Sequence, residues 1–256
     1  MKTVARLRGA MEIPEALVSV SAVKKALTIN YMPMGAEQPT EVEAFRVTSD
    51  GYIQVPRQFG LELCRQNKIK FEDCTSNGHE AVFPCTPKPR DYQESVLDEI
   101  EDATNSFYDF LFRARTGWGK TIGTLLVAAR LARTTVILVD QENLRDQWVE
   151  ALVKHFGFRR EYIGIVQGDK CTYEGKAVTV AMVQTLTRRK YPKAFYEYFG
   201  LAVVDEVHII GAPTFHEVLL DFTAMFRFGV SATPKRRDGL QRLLDYNLGR
   251  VRVYVE

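Results

Sequence analysis

The sequence lacks any apolar run of about 18 residues, the length that a membrane-spanning helix needs. Its first residues, MKTVARLRGAMEIPEA, also lack the long apolar stretch of a secretory signal. These two absences argue against a membrane partner and against export. They predict a soluble protein of the cytoplasm.

The sequence also lacks an excess of one charge. It has 34 Lys and Arg against 32 Asp and Glu, a formal net charge of +2. Composition alone therefore does not indicate a nucleic-acid binder, and any basic surface has to be local. Three local clusters exist, and a solvated face is the alternative interpretation of each. They are Lys24-Lys25, Arg188-Arg189-Lys190 and Lys235-Arg236-Arg237.

Cysteine is scarce, and none of the four cysteines forms a C-x-x-C pair. Reduced thiols are the expectation for a cytoplasmic protein. The alternative is a metal site in which His79 joins Cys74 and Cys85, but this spacing matches no zinc pattern.

Proline marks a division of the chain. Pro84, Pro87 and Pro89 lie close together in FPCTPKPR, and proline at this density resists both helices and central strands. We interpret this stretch as a linker between an accessory domain, residues 1–85, and a larger domain, residues 86–256. Both lengths suit a domain, and the 46% hydrophobic content suffices for two cores.

The N-terminal segment has short, mixed signals of an α+β domain. Residues 16–27 favour a helix, and residues 42–47 and 52–55 flank a Ser-Asp-Gly turn as two strands would. We find no catalytic group of residues in it.

The C-terminal segment is more regular. Apolar runs typical of buried strands alternate with helical stretches such as TIGTLLVAARLA and ENLRDQWVEALVKHF, which predicts an α/β fold with a mostly parallel sheet. The runs are FYDFLF at 107–112, VILV at 136–139, VTVAMV at 178–183, LAVV at 201–204 and FRFGV at 226–230.

The first of these runs leads into Ala-Arg-Thr-Gly-Trp-Gly-Lys-Thr at 114–121. The general phosphate-loop pattern is G-x-x-x-x-G-K-[ST], from which only the alanine at the first position departs. Gly117 and Gly119 allow backbone N–H groups to point at phosphate oxygens. Lys120 can reach the β- and γ-phosphates, and the Thr121 hydroxyl can bind Mg²⁺. Trp118 is bulky for this loop, and we expect its side chain to point outward.

Acidic residues follow the fourth run. Asp205 at the end of a buried strand can hold Mg²⁺, and Glu206 can orient or deprotonate an attacking water. Acidic residues at strand ends are often only solvated caps, but the phosphate loop upstream favours the catalytic interpretation. Because open α/β sheets bind ligands at the carboxyl ends of their strands, we expect both motifs to meet at one edge.

With these motifs in place, residues 87–239 resemble the superfamily 2 helicases. The family's motif II corresponds to DEVH at 205–208, a D-E-x-H sequence, and its motif III corresponds to SATP at 231–234. Arg237-Asp238, which follows motif III, is similar to the XPB-like and phage-type DNA helicases. The resemblance implies a RecA-like P-loop NTPase domain that uses ATP and Mg²⁺. It rests on six motifs in order, PRDYQ at 89–93, ARTGWGKT at 114–121, LVDQENLRDQW at 138–148, VQTL at 183–186, DEVH at 205–208 and SATP at 231–234.

The resemblance also implies roles for individual residues. Arg90 and Gln93 would contact adenine, and residues 116–121 (Thr116, Gly117, Trp118, Gly119, Lys120 and Thr121) would bind the nucleotide. His208, Ser231 and Thr233 would couple hydrolysis to nucleic-acid binding. Gln184 and Thr185 would contact the nucleic-acid backbone. Arg188 and Arg189, which belong to the basic cluster just past these two residues, are further candidates for that contact.

Family members have a second RecA-like domain, which supplies an arginine to the transition state. We expect that domain C-terminal to these residues, because nothing after SATPKRRDG resembles it, and we expect this chain alone to be weakly active or inactive. The favoured function is the motor of an ATP-dependent DNA helicase or translocase, in host cytoplasm if it is of phage origin. RNA is the less favoured substrate. One alternative is the motor of a restriction system. The other is a nucleotide-gated DNA-binding module without turnover, and Glu206 argues against this module because a switch without turnover needs no residue to activate water.

Overall fold

The computed structural model describes residues 4–32, 37–207, 212–232 and 240–255. Its N-terminal part is a five-stranded sheet, a two-stranded sheet and two helices. The strands are β1 (Ala5–Leu7), β2 (Met11–Pro14), β3 (Thr28–Tyr31), β4 (Thr40–Glu43), β5 (Arg46–Val47), β6 (Tyr52–Val55) and β7 (Phe71–Asp73), and the helices are α1 (Val20–Leu27) and α2 (Arg57–Gln66). The larger sheet has the order β5–β6–β2–β1–β7, and β3 pairs with β4.

Two predictions for this part need correction. The predicted helix over 16–27 begins only at Val20, because Ser19 caps it by accepting a hydrogen bond from Ala22 N at 3.4 Å. The single strand predicted over 42–47 is wrong, since β4 pairs with β3 and β5 pairs with β6. The chain changes sheets at Ala44, which is fully buried and donates its N–H to Leu27 O at 2.9 Å.

The C-terminal part is an eight-stranded sheet covered by helices. Its strands are β8 (Asp109–Ala114), β9 (Thr135–Val139), β10 (Gly164–Gln167), β11 (Lys170–Thr172), β12 (Val178–Met182), β13 (Leu201–Asp205), β14 (Phe226–Ser231) and β15 (Val251–Val255). Its helices are α3 (Asp91–Ser106), α4 (Lys120–Leu131), α5 (Glu142–Phe156), α6 (Val183–Arg188), α7 (Lys193–Glu197), α8 (Ala212–Asp221) and α9 (Gln241–Leu248).

The order of this sheet is β11–β10–β12–β9–β13–β14–β8–β15. Every neighbouring pair is parallel except β10 and β11, so the predicted α/β class with a mostly parallel sheet is confirmed. One apolar cluster joins the sheet to α3, α4 and α5, and a second joins its other face to α6, α7, α8 and α9. Burial on both faces explains why these strands are continuous apolar runs.

Residues 84–90, with the three prolines, form neither helix nor strand. The segment leading into them lies at the C-terminal ends of α4 and α5, where Ala81 N donates to Ala132 O and Cys85 N donates to Phe156 O, both at 3.0 Å. The division at residues 85 and 86 stays a prediction. No helix in the described parts of the chain is both long enough and apolar enough to cross a bilayer.

Helix α9 belongs to the cores of both parts. Its Leu243 and the preceding Leu240 are buried in the apolar cluster of the N-terminal sheet. Leu244 and Leu248, on the same helix, are buried in the cluster under the eight-stranded sheet. Burial of these leucines stabilises the folded chain by about 25 cal/mol per Å² of apolar area removed from water. Because α9 contributes to both clusters, its apolar packing joins the two parts.

A buried arginine cluster (Arg57, Asp109 and Arg227) joins the two parts a second time. All three side chains are fully removed from water. Arg57 from α2 lies 3.4 Å from Asp109 Oδ1 at the start of β8, and Arg227 Nε of β14 donates to the same oxygen. Burial, with the charge of Arg227, lowers the pKa of Arg57 to about 9, so the guanidinium stays protonated at neutral pH.

Backbone carbonyls complete the cluster. Arg57 Nη2 donates to Ala224 O at 2.8 Å, and Arg227 Nη1 donates to Gly9 O at 2.9 Å and Leu219 O at 2.8 Å. Two cations share one carboxylate, so carbonyl dipoles have to stabilise the remaining positive charge. The tight turn at Gly9 belongs to this arrangement, because a Cβ there would lie 2.2 Å from Leu220 O.

We expect Arg57→Ala to lower the free energy of unfolding by about 2–5 kcal/mol, because it leaves a cavity between the two parts and removes the donor to the buried Ala224 carbonyl. Arg65→Ala is the matched control on the same helix. It removes an exposed ion pair with Glu62 and should cause no measurable change. Urea unfolding curves measure both, and equal effects of the two substitutions would contradict the prediction.

Candidate nucleotide-binding site

The sheet order brings the predicted motifs together. Strands β13, β14 and β8 are consecutive neighbours, and their carboxyl ends carry Asp205, Ser231 and the loop 115–119. The register pairs Asp205 with Val230 and Ser231 with Arg113. The sequence-predicted site residues of these three strands therefore meet at one sheet edge.

The loop has the backbone that phosphate binding requires. Gly117 and Gly119 adopt φ angles of 87° and 94°, in the left-handed region. A Cβ on Gly119 would lie 2.9 Å from Gln93 Nε2, whereas nothing lies within 4 Å of one on Gly117. Helix α4 begins at Lys120, so its N-terminal N–H groups and its dipole favour an anion at this loop. Thr121, the second residue of α4, is half-buried there.

Trp118 does not point outward, and that expectation is wrong. Its side chain is 3% exposed and packs edge-on against Phe112 at a centroid distance of 5.3 Å. It lies over Gly123 of α4, where an added Cβ would be 2.5 Å from the ring. A glycine one turn into α4 makes room for the indole, which fastens the loop to the core.

The predicted adenine-contact residues lie beside this loop. Gln93 is buried, and its Nε2 donates to Trp118 O at 3.0 Å while its Oε1 accepts from Arg90 N, also at 3.0 Å. Arg90 is exposed, and its Nη1 donates to Tyr92 Oη at 2.6 Å. Gln93 thus links the start of α3 to the phosphate loop. Its contact with adenine, and that of Arg90, stay predictions.

Asp205 is a buried carboxylate with two donors. Trp148 Nε1 donates to its Oδ2 at 2.7 Å, and Glu206 N donates to its Oδ1 at 3.0 Å. Burial raises the pKa of Asp205 to about 6, the Trp148 hydrogen bond opposes this shift, and the charge of Glu206 adds to it. An electron-rich, desolvated carboxylate suits a divalent cation, whose charge would favour the ionised form.

Glu206 has a backbone conformation that is rare for a residue with a side chain. Its φ is 44°, in the left-handed region, which costs on the order of 1–3 kcal/mol and is found mainly at functional sites. Its Oε1 lies 3.6 Å from Lys120 Nζ, and its Oε2 accepts from Ser231 Oγ at 3.4 Å. Two predicted catalytic residues, Lys120 and Glu206, and the predicted coupling residue Ser231 come from three separate motifs and are therefore in direct contact.

The remaining predicted coupling residues, His208 and Thr233, lie outside the described residues, as does the basic cluster at 235–237. Ser231 is described and is buried. The described residues contain no group of three His, Cys, Asp or Glu placed to hold a metal, so Cys74, His79 and Cys85 do not form such a group. The His79 ring packs on Tyr198 instead, with a centroid distance of 4.7 Å.

The residues predicted to contact nucleic acid lie after β12, two strands from Asp205. Gln184 is exposed and donates to Asp140 O at 2.6 Å, which joins the ends of β12 and β9. The Thr185 hydroxyl is buried and accepts from Gly168 N at 3.0 Å, so it supports the loop. Arg188 and Arg189 are exposed, and Arg189 pairs with the side chain of Asp169.

Sequence reasoning missed Trp148. The signal was available, because a tryptophan four residues before Leu152 on an amphipathic helix is placed to be buried, and a buried indole N–H usually needs an acceptor. The identity of that acceptor was not available, since Asp205 lies 57 residues further along the chain.

One family model covers more than half of this chain. Residues 86–236 match the family model described as type III restriction enzyme, res subunit. A protein of Acanthamoeba polyphaga mimivirus, named as an ATP-dependent RNA helicase, is 26% identical over 239 residues, which are 90% of this chain and 44% of the relative. A helicase of Escherichia phage T5 is 30% identical over 181 residues, 71% of this chain and 38% of the relative. The chain thus spans less than half the length of these curated relatives.

Solved structures show the same fold. The UvsW helicase from bacteriophage T4 matches with a TM-score of 0.62 at 14% identity, over 97% of this chain and 99% of that chain. The Hef helicase domain of Pyrococcus furiosus matches with a TM-score of 0.51 at 23% identity, over 65% of this chain and 38% of that chain.

The buried Asp205 predicts a pH-dependent stability. In the folded protein the pKa of Asp205 is raised to about 6, so ionisation of this carboxylate lowers the free energy of unfolding by about 3 kcal/mol. This cost is absent below about pH 4 and complete above about pH 6. In EDTA, the unfolding free energy of the wild type relative to Asp205→Asn should therefore fall as pH rises through this range. Urea unfolding across the range tests it, and a difference independent of pH would contradict it.

Proposed function

From its membership of the family described as type III restriction enzyme, res subunit, and of the broader superfamily 2 helicases, we propose that this chain binds ATP with Mg²⁺ and couples hydrolysis to movement on DNA. The chain is a helicase motor domain, the first of the RecA-like type in these proteins. The observation that carries the proposal is the contact of Lys120, Glu206 and Ser231 at the end of a glycine loop. Unwinding or branch remodelling would be the outcome.

The chemistry follows from these positions. The Lys120 ammonium lies 3.6 Å from the Glu206 carboxylate. The phosphates of a bound nucleotide would compete for Lys120, and Glu206 would then be able to accept a proton from the attacking water. A Mg²⁺ ion held by Thr121 and Asp205 would neutralise charge on the phosphate oxygens. Ser231, hydrogen-bonded to Glu206, would report the state of this carboxylate to β14.

We expect Lys120→Ala to abolish nucleotide binding, because it removes the cation that meets the phosphates. Glu206→Gln should keep binding and lose about 10²–10⁴-fold in hydrolysis, because the amide cannot accept the proton. Titration with a fluorescent nucleotide and a phosphate-release assay measure the two effects, with no nucleic acid, with DNA and with RNA.

In these 256 residues we expect binding with slow turnover, because the resemblance assigns the transition-state arginine to a second RecA-like domain. Such an arginine is worth about 10³–10⁵ in rate in related nucleotide hydrolases. Strong DNA-stimulated turnover by these residues alone would contradict this expectation. Binding that survives Lys120→Ala would contradict the proposed nucleotide site itself.

DNA is the proposed partner, held partly by the surface after β12. The exposed Arg188 and Arg189 lie on and just after α6, next to Gln184. Relatives are named both as helicases and as RNA helicases, so RNA is the competing substrate. The 2′-hydroxyl distinguishes the two at a given contact, which makes a matched pair of DNA and RNA strands the direct comparison.

Replacing Arg188 and Arg189 together by alanine should weaken binding to all sequences equally. It should also lower the slope of log affinity against log salt by about 1–2, because each lost phosphate contact releases about one counterion fewer. Arg160→Ala, which removes an exposed arginine paired with Glu150, is the control. An unchanged salt slope in the double variant would remove this surface from the proposal.

The family name also supports a second candidate, the motor of a restriction system. A nuclease needs a cluster of metal-binding carboxylates, and the described residues hold no such group. These residues would therefore supply only the motor in that case. For the protein's location we propose the cytoplasm. We propose residues 1–85 as an accessory domain that engages DNA, with a protein-interaction or purely structural cap on the motor as the alternative.

A further inference from the structure

Trp148 occupies an unusual position for a buried tryptophan. It lies on α5, is 1% exposed, and directs its indole N–H to Asp205 Oδ2 at 2.7 Å. The chain has one other tryptophan, Trp118, whose indole nitrogen has no hydrogen-bond partner among the described residues. Burial alone therefore does not explain why the Trp148 donor meets the carboxylate proposed to bind the metal.

We propose that Trp148 is a positioning residue that fixes the orientation of the Asp205 carboxylate for Mg²⁺. This inference rests on the proposed function. A carboxylate has about four lone-pair sites, and two donors use one site on each oxygen here. Because one donor comes from the neighbouring backbone and the other from α5, rotation of the carboxylate is restricted. The remaining lone pairs stay available to a cation.

The chemical nature of the donor supports this role. An indole N–H is neutral and donates only, so it orients the carboxylate without cancelling the charge that binds the metal. A lysine or arginine in the same place would compete with Mg²⁺. Partners that orient metal-binding carboxylates in this way are commonly worth about 10–100-fold in metal affinity.

The decisive experiment separates Mg²⁺ affinity from nucleotide affinity. Trp148→Phe removes the donor and keeps an aromatic ring in the core. In the whole 256-residue chain, the affinity for a fluorescent ADP analogue in EDTA should stay within about twofold. Adding Mg²⁺ should raise that affinity, and the Mg²⁺ midpoint is the Mg²⁺ concentration at which half of this increase is reached. In Trp148→Phe the Mg²⁺ midpoint should rise about 10–100-fold.

Phe156→Leu is the matched control, because Phe156 is fully buried on the same helix, eight residues further on. It should lower thermal stability and leave the Mg²⁺ midpoint unchanged. If Trp148→Phe does not fold, site-specific replacement of Trp148 by 3-benzothienylalanine, which substitutes sulfur for the N–H, provides the same comparison with the shape retained.

The outcomes are distinct. A Mg²⁺ midpoint that does not move, or an equal loss of affinity with and without Mg²⁺, would overturn the inference and leave Trp148 a packing residue. Failure of the wild type to bind nucleotide would instead overturn the proposed function. A shifted midpoint with Mg²⁺-free affinity retained, and an unaffected control, is the result that supports the inference.

Discussion

The carboxylate of Asp109 holds two guanidinium groups from distant parts of the sequence, and the two halves of the molecule are joined around it. Asp109 begins β8, which ends in the phosphate loop, and Arg227 lies in β14, which ends at Ser231. Arg57 comes from the N-terminal part. The same buried charges that attach the N-terminal part therefore fix the amino-terminal ends of two strands whose carboxyl ends lie at the candidate nucleotide site.

Local sequence signals indicated most residues of the candidate nucleotide site. Phosphate loops depend on a short run of residues, so Gly117, Gly119 and Lys120 could be recognised without knowledge of the fold. Asp205 could be placed because apolar strands buried on both faces are easy to recognise and their carboxyl ends share one edge. The orientation of Trp118 could not be predicted from local signals, because it depends on the space that Gly123 leaves on helix α4.

Contacts between distant residues could not be predicted. Nothing in the pattern around Arg57 indicates that its partners, Asp109 and the Ala224 carbonyl, are 52 and 167 residues away, since a lone arginine on a helix is usually solvated. The same holds for the hydrogen bond from Trp148 to Asp205. The division of one predicted strand into β4 and β5 has a similar cause, because the change of sheet at Ala44 is set by burial rather than by strand propensity.

The shared position of α9 has a consequence for how the chain is made. Leu240 and Leu243 complete the core of the N-terminal sheet, yet they follow it by more than 160 residues. During synthesis at about 5–20 residues per second, the N-terminal segment thus waits on the order of 10–30 seconds for those side chains to leave the ribosome. The part that is translated first reaches its native packing among the last, and its apolar face is open to chaperones in the meantime.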